Sequence, residues 1–170
     1  MEIRKVNPID IDVLQKIARA TFTETFSPVN TEEDMKHYLQ HNMATSKLTE
    51  EINNENSQFY FAEENGEVIG YLKINTGIAQ TELHDLLALE IERIYVLQRY
   101  HGKQVGQSLY QKAVDLALNL NASYIWLGVW EENARAISFY TKNGFTVFDK
   151  HMFMLGNDEQ TDILMKKSIV

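Results

Sequence analysis

The sequence has no cysteine, which excludes disulfides, thiolate metal sites and a cysteine nucleophile. It has only 2 prolines among its 170 residues, and no proline-rich or low-complexity tract that would read as a linker. The opening MEIRKVNPID lacks the apolar core of a signal peptide, and no apolar run is long enough to cross a bilayer. A cytoplasmic protein without a membrane partner is therefore expected. Basic residues are outnumbered, 16 against 24 acidic, for a net charge of −8. That balance argues against a nucleic-acid surface and suits cationic substrates. The GxGxxG and P-loop signatures are absent, and no HExxH surrounds His37 and His41, which are four apart on a predicted helix. That pair could be half of a metal site, but a solvated helix face is the reading preferred, and no metal is expected. At this length, with 44% hydrophobic residues, one domain with a full core is expected.

What is present is organised around residues 89–120, LEIERIYVLQRYHGKQVGQSLYQKAVDLALNL. Ile91, Ile94, Tyr95 and Val96 are strand formers. The segment from Gln98 to Lys103 is polar and basic. From Val105 the period becomes helical, with Leu109, Ala113, Leu116 and Leu120 on one side. A strand, a tight loop and a helix start make an anion site, because the first N–H groups of a helix lack internal partners. Gly102 and Gly106 permit close approach, and Arg99 and Lys103 add charge. The same pattern also fits an ordinary crossover turn.

Elsewhere, residues 2–6 read as a strand, and Asn7-Pro8 as the start of a helix running to about residues 20–22. Thr31 caps a helix to about Gln40 with Met35, Tyr38 and Leu39 inward, and a short helix fits residues 47–53. Residues 58–63 and 67–74 flank Asn65-Gly66, a type I′ hairpin pair. Residues 75–88 read as a mobile loop near the substrate. Residues 123–130 form a strand parallel to the organising one, and residues 133–142 a helix. Residues 145–148 and roughly 161–167 close the sheet, with HMFMLGNDEQ as a loop between them. The order implies a mixed α/β architecture around a central sheet.

The window His101-Gly102-Lys103-Gln104-Val105-Gly106 resembles the pyrophosphate signature of the GNAT superfamily of N-acetyltransferases. His101 stands where Gln or Arg is usual, and Gln104 where the first Gly is usual. A second segment, VWEENARAISFYTKNGF, resembles that superfamily's pattern of Asn, small residues and Tyr before Gly-Phe. Asn133, Ala136, Ile137 and Tyr140 share one helical face. A capping Asn and a core Tyr would use the same spacing. Over the whole chain, residues 89–96, 125–130 and 158–165 are similar to the PaiA-like branch of polyamine acetyltransferases.

The resemblance implies a mostly antiparallel, twisted sheet splayed between its fourth and fifth strands and flanked by helices. It implies acetyl-CoA as co-substrate, held by Ile94, Tyr95, Val96, Arg99, His101, Gly102, Lys103, Gln104, Val105, Gly106 and Gln107. Asn133, Ala136, Tyr140 and Lys142 would hold it from the second helix. It implies direct attack by a primary amine, with Tyr140 protonating the thiolate and Glu92 as the base, Glu90 being the alternate. Ion pairing of Glu92 with Lys73 or Arg93 is the competing reading. Glu24, Asp34, Asp85 and Glu132 are candidates for holding a polyamine. Trp126 and Trp130 fit cation–π contact or core packing. Another small amine, a protein N-terminus, or a regulator that only senses ligand are the alternatives, and a homodimer is open.

Overall fold

The computed structural model describes residues 1–170. Seven strands form one sheet in the order β1-β2-β3-β4-β5-β7-β6. They are β1 (Glu2–Lys5), β2 (Ser57–Glu64), β3 (Glu67–Asn75), β4 (Ala88–Val96), β5 (Tyr124–Trp130), β6 (Thr146–Leu155) and β7 (Asp158–Ser168). Only β4 and β5 run parallel. The helices are α1 (Ile11–Phe26), α2 (Glu32–Asn42), α3 (Thr45–Asn53), α4 (Val105–Asn119) and α5 (Ala134–Lys142). The mixed α/β architecture and its parallel pair are as expected.

The sheet divides two cores. On one face α4 and α5 bury Leu109, Ala113 and Tyr140 against Leu72, Ile91 and Ile125. On the other, α1, α2 and α3 bury Leu14, Phe22, Met35 and Leu48 against Phe59, Phe61 and Tyr71. The β2–β3 hairpin turns at Asn65 and Gly66 with φ of 52° and 79°, the left-handed pair that a type I′ turn requires.

Two boundaries differ from the expectation. The first helix continues to Phe26. Its threonines do not favour it: Thr21 Oγ1 donates to Ile17 O at 2.8 Å and Thr25 Oγ1 to Thr21 O at 2.9 Å, back-bonds that slightly destabilise a helix. Packing decides the outcome: Phe22 stacks on Phe26 and Tyr38, and Phe26 lies 4.9 Å from Trp130. The segment expected as a closing loop is instead most of a long β6–β7 hairpin that turns at Gly156 and Asn157. Its run of Met152, Phe153, Met154 and Leu155 is apolar on both sides of the strand, which hides the period of two.

Gly70 on β3 marks a close approach of two backbones. A Cβ there would lie 2.7 Å from Tyr95 O and 3.3 Å from Val96 Cα. Gly70→Ala must push β3 from β4 and should cost about 2 kcal/mol, as overpacking does. Guanidinium unfolding measures this, and an unchanged midpoint would mean that the sheet relaxes freely there.

Candidate active site

The parallel pairing of β4 with β5 lasts only from Ala88↔Tyr124 to Ile91↔Leu127. Both strands continue beyond it, to Val96 and Trp130, without partnering each other. Leu97 N–H donates to Ile69 O at 2.9 Å, on the β3 side. By alternation, the backbone groups of Ile94 and Val96 face the opened gap.

The β4–α4 loop is built at the mouth of this gap. His101 Nε2 donates to Val96 O at 2.9 Å, which folds the loop back on the strand end. Gly102 and Gln104 have φ of 77° and 67°. Gln104 thus carries, with a side chain, the left-handed turn for which the resembled signature uses glycine. Its C=O receives the first helical bond, from Ser108 N at 3.0 Å, so the N–H groups of Val105, Gly106 and Gln107 find no acceptor in the protein. Unpartnered amides at the positive end of a helix of 15 residues fit an anionic diphosphate.

A cavity of about 660 Å³ opens here. Ile94, Tyr95, Val96, His101, Gly102, Gln104, Val105, Gly106, Gln107, Asn133, Ala136, Tyr140 and Lys142 all line it. Arg99 and Lys103 do not: Arg99 pairs with Glu67, and Lys103 lies 5.2 Å over the Tyr100 ring. Gln98, Tyr100, Arg135, Ser138 and Phe139 also line the cavity and were not anticipated. Arg135 left a signal in the sequence, since a cation in the first turn of a helix opposes the helix dipole.

A second cavity, of about 400 Å³, lies on the α1–α2 side of the gap. The two share Ile94, Tyr95, Trp130, Asn133, Ala136 and Tyr140. Asn133 Oδ1 caps α5 by accepting from Ala136 N at 3.1 Å, so that carbonyl is occupied while the residue still borders both spaces. Tyr140 is buried between Phe139 and Phe145. Burial alone raises its pKa, and its hydroxyl has no hydrogen-bond partner in the protein. It is therefore a protonated phenol with a free donor at the junction of the cavities.

Glu92 lies in the second cavity but is already fully engaged. The β3–β4 register passes from Lys73↔Arg93 to Ile74↔Ile91, which leaves Glu92 as the extra residue of a bulge. Its carboxylate accepts from Lys73 Nζ at 2.9 and 3.0 Å and from Asn75 Nδ2 at 2.9 Å, and Arg93 Nη2 lies 3.0 Å away. Burial would raise its pKa, but Arg93 and Lys73 outweigh burial and hold it at about 2. A carboxylate so stabilised takes a proton poorly at neutral pH. Of the two readings of Glu92, a free base or an ion pair with Lys73 and Arg93, the ion pair is the arrangement present. Glu51 completes the cluster, 3.4 Å from Lys73 and 3.1 Å from Arg93.

Glu90 lies on the same side, and burial raises its pKa against the hydrogen bonds that it accepts. Those bonds come from Asn75 Nδ2, Thr81 N and Thr81 Oγ1 at 3.0, 2.9 and 2.6 Å. The loop expected to be mobile is pinned through these contacts and through buried Gln80, whose Nε2 donates to Asp85 O at 2.9 Å.

None of the four carboxylates anticipated for a polyamine lines this second cavity. Glu24 accepts from Gln98 N at 3.1 Å, and Asp34 from Asn157 N at 3.0 Å. Asp85 accepts from the Tyr124 hydroxyl at 2.8 Å, and Glu132 borders the larger cavity. The second cavity has Glu82 and Asp162 instead, with His151 paired to Glu82 at 2.5 Å. Trp126 and Trp130 both line it, with Nε1 of each donating at 2.7 Å to Gln80 and Gln160 respectively. Gly128 between them leaves room for Asp162, since a Cβ there would meet Asp162 Oδ2 at 3.3 Å. On α2, His37 and His41 stack at 4.3 Å on the surface, and no third His, Cys, Asp or Glu joins them as a metal ligand.

The sequence profile of the acetyltransferase (GNAT) family matches residues 13–145. An uncharacterized N-acetyltransferase of Lactobacillus delbrueckii subsp. lactis is 41% identical over 170 residues, 100% of this chain and 98% of that protein. A spermidine N(1)-acetyltransferase of Thermoplasma acidophilum is 27% identical over 88% of this chain and 90% of its own. The crystal structure of the PaiA N-acetyltransferase of Thermoplasma acidophilum in complex with coenzyme A superposes with a TM-score of 0.80. It has 25% identity and 98% coverage of both chains.

Glu92→Gln removes one anion from a buried ion-pair cluster and should cost about 3 kcal/mol of stability. Because folding lowers the pKa of Glu92 from 4.5 to about 2, its contribution is complete above pH 4.5 and is lost as pH falls toward 2. Acid titration of the melting temperature should therefore be flatter for the variant in that window. A recovery of its activity at high pH without loss of stability would instead mark Glu92 as the base.

Proposed function

The chain belongs to the acetyltransferase (GNAT) family, and from that premise we propose that it acetylates a primary amine of a polyamine such as spermidine or spermine. The amine attacks directly, with both substrates bound. The observation that carries this reading is the meeting of the two cavities at Tyr140. One is lined by unpartnered helix amides and strand-edge backbone, the other by carboxylates and indoles.

Acetyl-CoA supplies the acetyl thioester. The N–H groups of Val105, Gly106 and Gln107 receive its diphosphate, with Arg135 and Lys142 adding positive charge to the same cavity. Backbone groups of Ile94 and Val96 pair with the pantetheine amides and polarise the thioester carbonyl. Tyr140 donates its phenolic proton to the thiolate as the carbon–sulfur bond breaks. Its raised pKa keeps that proton in place until then.

Substrate preference is set in the smaller cavity. Alkylamines have pKa values near ~10 and arrive as cations. Glu82, Glu90 and Asp162 line the space with carboxylates, and the buried Trp126 and Trp130 give it aromatic walls suited to an ammonium. The net charge of −8 favours approach of a polycation. The spermidine acetyltransferase among the relatives supports the same class.

Spermidine should therefore be acetylated with kcat/KM at least about tenfold above that of butylamine, an advantage that shrinks with added salt. Steady-state assays of CoA release test this, and equal values would leave only a general amine acetyltransferase. Tyr140→Phe should lower kcat on the order of 10²-fold with the dissociation constant of acetyl-CoA unchanged. Lost affinity with preserved kcat would make Tyr140 a binding residue instead.

A further inference from the structure

Every carboxylate of the smaller cavity except one is committed to protein donors. Glu92 is held by Lys73, Arg93 and Asn75, Glu90 by Asn75 and Thr81, and Glu82 by His151. Asp162 of β7 accepts no hydrogen bond from the protein. It stands in register with Trp130 on β5 and His151 on β6, and it borders the same space as Tyr140. The missing side chain of Gly128 leaves its Oδ2 uncovered on the β5 side. We propose that Asp162 receives the ammonium of the substrate and accepts its proton before attack, an assignment that rests on this cavity taking the amine.

The proton balance closes on groups already present. The ammonium N–H breaks and an O–H forms on Asp162, which passes the proton to solvent. The freed nitrogen lone pair forms the bond to the acetyl carbon, and the carbon–sulfur bond breaks as Tyr140 gives its proton to sulfur. The second proton released from nitrogen, as the amide forms, restores the phenol. One proton leaves per turnover, as acetylation of an ammonium requires.

The surroundings suit that exchange. Burial raises the pKa of Asp162, nearby His151 lowers it and Glu82 raises it, for a value of about 6. It is therefore ionised at neutral pH yet basic enough to take a proton. The other titratable groups facing the cavity are Glu90, Glu92 and Arg93 from β4, and Tyr140 from α5. The phenols of Tyr38 and Tyr95 are raised by burial and stay protonated throughout.

The test is the pH profile of kcat/KM for spermidine in the wild-type enzyme, D162N and D162E, with melting temperature and acetyl-CoA affinity as checks on the fold. The wild type should rise through a limb near pH 6 to a plateau. D162N should be slower at pH 7 on the order of 10²-fold. It should lose the limb and climb about tenfold per pH unit toward the amine pKa of ~10, where free amine no longer needs a base. D162E should restore part of the rate and the limb. The proposal is overturned if D162N keeps the wild-type profile, or if it raises KM alone, or if the wild type has no limb near pH 6, a result that needs no variant. A wild-type enzyme that acetylates no amine overturns instead the function on which the proposal rests.

Discussion

The site depends on the point at which β4 and β5 stop pairing. Four registers of parallel ladder hold them together, and after Ile91 and Leu127 each strand keeps only its outer neighbour. A sheet interior normally satisfies all its backbone groups, so an opening there is costly unless something else occupies it. The bulge at Glu92 bends β4 at the place where the ladder ends. The α4 N-terminus and the α5 face then close the upper side of the opening, and aromatic side chains from α1 and β5 close the lower.

That bend has its own support. The cluster of Glu51, Glu92, Lys73 and Arg93 pairs two anions with two cations, and Asn75 ties Glu92 to Glu90. Such a cluster gains little net stability over apolar packing, but removing any member leaves a buried charge unmatched. Its effect is geometric: it fixes the parity of β4 beyond the bulge. Arg93 and Tyr95 consequently share a face with Glu90 and Glu92, while Ile94 and Val96 return to the α4 side.

Much of this was legible in the sequence, for identifiable reasons. Helix and hairpin signals are local, so Asn65-Gly66, the Thr31 cap and the change of period at Val105 mark their elements directly. The larger cavity was legible because its amides come from one contiguous loop and one helix face. The smaller cavity was not. Asp162, Glu82, His151 and Trp126 lie on four separate segments and meet only through the register of β5, β6 and β7. Glu92 shows the same limit, since its neighbours Lys73 and Asn75 come from another strand and only the bulge decides that they surround it. The extension of α1 and the length of the last hairpin likewise follow from packing rather than from the residues themselves.

The manner in which the two tryptophans are held has a further consequence. Each indole N–H is tied to a glutamine, Gln80 from the β3–β4 loop and Gln160 from β7. An amide does not titrate, so these ties are the same in acid and in base. The carboxylates beside them do titrate. Outline and charge are thus separable properties of this cavity: a change of proton concentration rewrites the potential inside it while the rigid aromatic frame stays where it was.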